Sequence, residues 1–155
     1  MLTPTQNPAG RLALVRDRIA LAARAACRDP AAITLIGVAK SQSRERILAA
    51  LDAGLTDLGE NYVQEADEHA ALLAGHAVRR HFIGALQSNK SRPVAESFDW
   101  VHTVDRLKIA ERLSAQRPEA LPPLAVCLQV RLGDEETKSG VGPDALPALA
   151  AGVAA

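Results

Sequence analysis

Lys40 closes an apolar run, residues 33–39 (ITLIGVA), rich in β-branched side chains, which reads as a buried strand. A lysine at the end of such a strand sits where burial disfavours the ammonium form, and a neutral amine attacks an aldehyde to give a Schiff base. A second reading stays open: the stem lies along the strand and the charge snorkels to solvent. Asn61 divides in the same way, between capping a helix and hydrogen-bonding a substituent on a ligand ring. His81 is either a neutral ring lying against a planar ligand or a core histidine with satisfied nitrogens. Lys90 and Lys138 suit a phosphate or a carboxylate, or are solvated loop charges. Glu135 and Glu136, next to Lys138, read as no more than a local ion pair.

The elements that must position these residues follow from periodicity. Asn7 is placed to cap a helix over 7–27, and the Arg28-Asp29-Pro30 step ends it. Five apolar runs then alternate with helical patterns: strands at 33–39, 57–59, 80–84, 100–104 and 124–130, with helices predicted over 44–53, 61–73, 90–96, 105–116 and from 143. Ser43 caps the second helix and Gly54 follows it; Asp105 is expected to cap the helix after the fourth strand. Alternation of this kind means α/β architecture with a parallel sheet, closed as a (β/α)8 TIM-type barrel or left as an open doubly wound sheet. No G-x-G-x-x-G follows the first strand, which weakens the dinucleotide-binding version of the open sheet. In either closure the site lies at the carboxyl ends of the strands. That rim collects Lys40, then Glu60 and Asn61, then His81 with Gln87, Ser88, Asn89 and Lys90, then His102, Thr103 and Asp105, and last Gln129, Arg131, Glu135, Glu136 and Lys138.

Bulk properties remove several classes. The 155 residues support a single domain over 1–155 with a real core. Lys plus Arg equals Asp plus Glu at 18 each, so no basic surplus exists to neutralise nucleic-acid phosphates. Aromatic residues are 3%, too few for base-stacking platforms. Cys27 and Cys127 lack metal-ligand spacing, so no metal site and no disulfide framework is expected. No apolar stretch approaches a membrane span, and the first residues show no signal-peptide core, so a cytoplasmic protein is expected.

Four motifs together resemble the pyridoxal phosphate homeostasis proteins, which share the barrel of the alanine racemase N-terminal domain. They are LIGVAK (35–40), GENYVQEA (59–66), HFIGALQSNK (81–90) with VHTVD (101–105) after it, and LQVRLGDEETKSG (128–140). The second and third are long and specific, and order and spacing match as well. The resemblance implies a protein that carries pyridoxal 5'-phosphate (PLP) as a Schiff base on Lys40, with Asn61, His81 and Lys138 near the cofactor. It implies no catalytic residue and a role in intracellular PLP supply. The competing readings are a PLP-dependent racemase or decarboxylase of the same fold, and an inactive truncated remnant. A racemase would need an acid/base partner on the other face of the ring, and Tyr62 is the sole tyrosine.

The sequence departs from the family pattern at Ala39, where a serine or threonine is usual, at Gln42, and at Arg131, which stands where an asparagine is usual. Ala39 is expected to remove a hydroxyl near the imine. Arg131 brings a permanent charge that cannot accept a hydrogen bond. A full barrel needs eight strands and about 250 residues; only about the first five βα units are present, so the chain reads as a C-terminally truncated barrel. The family's phosphate loop and pyridine-facing arginine lie in later strands. The expectation is therefore weak PLP binding by this chain alone, a monomer when complete, and association through exposed edges in the short form.

Overall fold

A computed structural model of the chain describes residues 7–133 and 139–154. The first helix, α1 (Pro8–Ala25), starts as the sequence predicts: the Asn7 side chain accepts from the Ala9 N–H at 3.1 Å, and Pro8 occupies the first turn. The five predicted strands all form: β1 (Gly37–Val38), β2 (Asp57–Glu60), β3 (Arg79–Phe82), β4 (Trp100–Val104) and β5 (Ala125–Leu128). Between them run α2 (Arg44–Asp52), α3 (Val63–Ala70), α4 (Ser91–Ser97) and α5 (Leu107–Gln116), and α6 (Leu146–Ala154) follows β5.

All five strands are parallel and lie in the order β1-β2-β3-β4-β5. An open doubly wound sheet reverses its strand order at a switch point. This sheet never does: each strand pairs with its successor, as in an arc of a (β/α)8 barrel. The partial barrel of about five βα units expected from the sequence is the architecture found.

The two-residue period of the strands sorts side chains between the helix layer and the inner face. Leu58, Phe82, Val101 and Val104 turn toward the helices. The last three pack with Val94, Ala95, Phe98, Ile109 and Leu113 in the larger apolar cluster, where Phe82 and Phe98 meet edge to face at 5.4 Å. Ala39, Ile47, Leu51, Leu55, Leu58 and Leu72 form the second cluster. Where α2 ends, the Gly54 N–H bonds Leu51 O and the Leu55 N–H bonds Ala50 O, with Gly54 at φ +86°. Arg16 of α1 donates to Gly54 O at 2.6 Å and ties that end down.

Several boundaries differ from the prediction. The first ladder covers only Gly37 and Val38, because residues 33–36 find no pairing partner on β2. Asn61 does not start a helix; α3 begins at Val63 after Tyr62. Asp105 does not cap α5, whose cap is Arg106; the Asp105 carboxylate is spent on the Arg106 guanidinium at 2.6 Å. The fifth strand stops at Leu128, and Val130 instead bridges to Val141.

Gly84, in the HFIG segment, lies against the Asn61 backbone, and a Cβ there would collide with the Asn61 carbonyl oxygen. Thr103 pins the same glycine by donating to its carbonyl at 2.7 Å. The atoms that a Cβ would meet are all Asn61 backbone, which has no flexible end to yield. Gly84→Ala should therefore cost about 1–3 kcal/mol, as overpacking does, read as a lowered urea midpoint with an unchanged slope.

Candidate functional site

Lys40 stands on a tight turn at the carboxyl end of β1. The Gln42 N–H closes it on Ala39 O at 2.9 Å, and Ser41 takes φ +56°, a left-handed conformation uncommon outside glycine. Ile36, Val38 and Lys40 alternate with Gly37 and Ala39, so Lys40 follows the inner face while Ala39 is 1% exposed in the helix-side cluster. Two expectations change here. The Lys40 side chain is exposed rather than desolvated. The Ala39 side chain points away from the lysine, so a hydroxyl at position 39 would enter the apolar cluster and not the rim. Gln42 donates to Lys40 O at 3.5 Å, and its amide oxygen accepts from Arg46 at 3.4 Å.

The Lys40 ammonium lies 6.0 Å from the centre of the Tyr62 ring. Asn61, half-buried, precedes that tyrosine on the same rim. Lys40 and Asn61 are thus brought to one edge. Tyr62, the sole tyrosine, stands beside the lysine, a neighbour that sequence spacing alone does not show. Lys138, Glu135 and Glu136 lie outside the described residues. The stems of their loop are held: the Arg131 N–H bonds Val141 O at 2.9 Å, and Val141 N–H bonds Gln129 O at 2.8 Å. Ile83, Thr103, Gln129, Val130, Arg131 and Ser139 line a cleft of about 460 Å³ beside this loop.

His81 lies deeper on the inner face, in register with Gly59 and Trp100, and is 3% exposed. Both ring nitrogens are engaged. Nε2 meets Asp57 Oδ1 at 2.9 Å and Nδ1 meets Nε2 of His102 at 2.9 Å. Its ring stacks on Trp100 with centroids 5.9 Å apart and planes 12° off parallel. Arg79 closes on Asp57 with Nε–Oδ1 at 2.8 Å and Nη2–Oδ2 at 3.0 Å, and the Thr56 hydroxyl donates at 2.8 Å. Burial pushes the Asp57 carboxyl up, but the hydrogen bonds from Arg79, Thr56 and His81, with the Arg79 charge, outweigh it and hold the group below its ordinary value. Burial, and then the neighbouring His81 charge, lower the His102 pKa.

Glu60 leaves the rim altogether. Three residues after Asp57, it faces the helix layer, 1% exposed, and meets His69 of α3 at 2.9 Å. Its second oxygen has no hydrogen-bond partner among the described residues. Burial raises its pKa, against the His69 hydrogen bond and the His69 and Arg80 charges. Lys90 caps α4 and Ser88 accepts from Ser91, so the 87–90 segment serves as a helix entry. Among the described residues no group of three or more His, Cys, Asp or Glu is placed to hold a metal. No described helix is long and apolar enough to cross a membrane.

Comparison with known proteins gives these geometries a family context. The family described as alanine racemase, N-terminal domain, matches residues 13–155. The pyridoxal phosphate homeostasis protein of Pseudomonas aeruginosa is 55% identical over 145 residues, covering 94% of this chain and 63% of that protein. Its counterpart in Escherichia coli is 51% identical over 149 residues, covering 94% and 64%. This chain therefore spans a little under two thirds of the length of those relatives. A crystal structure of an unknown protein from Bifidobacterium adolescentis superposes with TM-score 0.83 at 29% identity, over 99% of this chain and 67% of that one. PipY of Synechococcus elongatus, solved with PLP bound, gives 0.74 at 35% identity, over 92% and 63%.

The raised pKa of Glu60 fixes the sign of one pH effect. The native state holds its proton more tightly than the unfolded chain does, so this stabilisation is complete below the ordinary value of 4.5 and is lost as pH rises through the native pKa. Glu60→Gln removes that dependence. Urea midpoints of wild type relative to Glu60→Gln should therefore be higher at pH 4.5 than at pH 8; an offset that does not change with pH would contradict the assignment.

Proposed function

The chain belongs to the family of the alanine racemase N-terminal domain, and from that premise we propose that it is a PLP-binding protein of intracellular PLP homeostasis. In this reading the cofactor is held on Lys40 as a Schiff base, without amino-acid turnover. The observation that carries the reading is the presentation of Lys40: a primary amine on an exposed turn at the carboxyl end of β1, on the inner side of the sheet, with an aromatic ring beside it. Ligands of parallel βα folds bind at that end of the strands. The names of the relatives and the PLP held by PipY support the same assignment.

The residues present fit the group in part. The amine suits an aldehyde, and Tyr62 and Asn61 offer a ring face and an amide at the rim. His81 is proposed as a neighbour from the layer below, through its ring, since both nitrogens are engaged. Lys138 is proposed from the loop outside the described residues. PLP bound to a lysine supplies an electron sink for amino-acid chemistry; a carrier needs only that Lys40 hold the cofactor and give it up. The reading places the protein in the cytoplasm, as a monomer when complete, with PLP and no nucleic acid or membrane as its partner.

The test is direct. Purified chain mixed with PLP should show an absorbance band from the lysine adduct, and borohydride reduction followed by peptide mapping should place most of the label on Lys40. Lys40→Ala should lose that band. Label spread evenly over surface lysines, or none on Lys40, would sink the reading. Turnover of alanine or serine that disappears in Lys40→Ala would replace the carrier with an enzyme.

A further inference from the structure

Three titratable side chains stand in line across the inner face, one from each of β2, β3 and β4. We propose that Asp57, His81 and His102 form a proton relay whose accepting end is Nδ1 of His102, open to a ligand or water inside the barrel. The geometry dictates which atoms carry hydrogen. The Asp57 carboxylate only accepts, so His81 Nε2 must donate across the 2.9 Å contact. With His81 neutral, its Nδ1 holds a lone pair, and the proton in the second 2.9 Å contact belongs to His102 Nε2. Nδ1 of His102 is then a lone pair. No hydrogen bond within the described residues engages it, and the ring is half-buried where His81 is buried.

The backbone aims this end. One extra residue of β4 sits between the pairs Val101–Val126 and Val104–Leu128, a bulge that leaves both His102 and Thr103 off the helix layer. Thr103 is used up on Gly84 O, which leaves His102 facing the interior. His81 is unsuited to the accepting role, with both nitrogens engaged and its ring stacked on Trp100.

The transfer balances. A ligand or water X–H gives its proton to Nδ1 of His102 and keeps the bonding pair as X⁻. The Nε2 proton of His102 passes to Nδ1 of His81. His81 becomes the cation and keeps its Nε2 hydrogen on Asp57, so the charge rests beside a carboxylate, as in a carboxylate–histidine pair. The charged groups facing the relay are Asp57 itself and Arg79, whose guanidinium binds both Asp57 oxygens and tempers the attraction. Burial, and after it the neighbouring His81, lower the His102 pKa and so favour a neutral accepting end. His102 is thus suited to a hydroxyl or N–H donor and not to an anion; Asp57 and His81 are positioning residues.

The relay does not depend on PLP binding, so it is tested without cofactor. Nitrogen-15 labelled chain should show a through-hydrogen-bond coupling between Nδ1 of His81 and Nε2 of His102. At pH 8 the bridging proton should be covalently on His102. On acidification a single transition should move it to His81 as Nδ1 of His102 gains a proton. His81→Phe should abolish the coupling and let His102 titrate alone; if that variant does not fold, the wild-type titration still decides. The proposal fails if there is no coupling, if the bridging proton starts on His81, or if it stays on His102 throughout while the two rings titrate separately. Failure of PLP to label Lys40 would leave this result untouched.

Discussion

The chemistry of this chain depends on the two-residue period of its parallel strands. Along β2 it sends Leu58 and Glu60 to the helix layer and Asp57 to the inner face; on β3 and β4 it does the same for Phe82 against His81 and Val101 against Trp100. A one-residue slip of any strand would bury histidines among Val94, Ile109 and Leu113 and turn Phe82 inward, so the apolar layer enforces the polar arrangement. The inner face can therefore carry an aspartate, two histidines and a tryptophan without loss of the core.

Asp57 and Glu60 show how little burial decides by itself. Both end up nearly inaccessible on one four-residue strand. Asp57 collects Arg79, Thr56 and His81, which together hold it ionised below its usual value. Glu60 has His69 on one oxygen and, among the described residues, no hydrogen-bond partner on the other, so burial prevails and its pKa rises. An ionised carboxylate accepts and orients a histidine; one with a raised pKa moves toward a neutral clamp. The first anchors the interior. The second fastens α3 to the strand that leads into Asn61 and Tyr62 at the rim.

Much of this was legible in the sequence. The order of helices and strands follows from periodicity, and β4 matches its predicted bounds. The helix start after Asn7 and the glycine stop at Gly54 are local signals that survive folding; α2 also starts after Ser43, though that side chain makes no capping hydrogen bond. What was missed depends on contacts distant in sequence. The length of β1 is set by how much of β2 it can pair with. Asp105 looked like a cap until Arg106 competed for it. The separation of Glu60 from Asn61 needed only strand alternation, whereas the meeting of His81 with His102 needed the register of β3 on β4, which no residue type announces.

Lys40 shows how local conformation can do what burial does not. A lysine pressed against an apolar strand would gain a neutral amine and lose access. Here Ser41 adopts a left-handed conformation in the turn from Ala39 to Gln42, and the Lys40 side chain is exposed while Ala39 stays locked under α2. The amine keeps its access, with the face of the Tyr62 ring 6.0 Å away. One layer below, His102 is joined to Asp57 through His81 by two contacts of 2.9 Å, so the buried polar groups of the inner face hold one another while the amine stands clear of them.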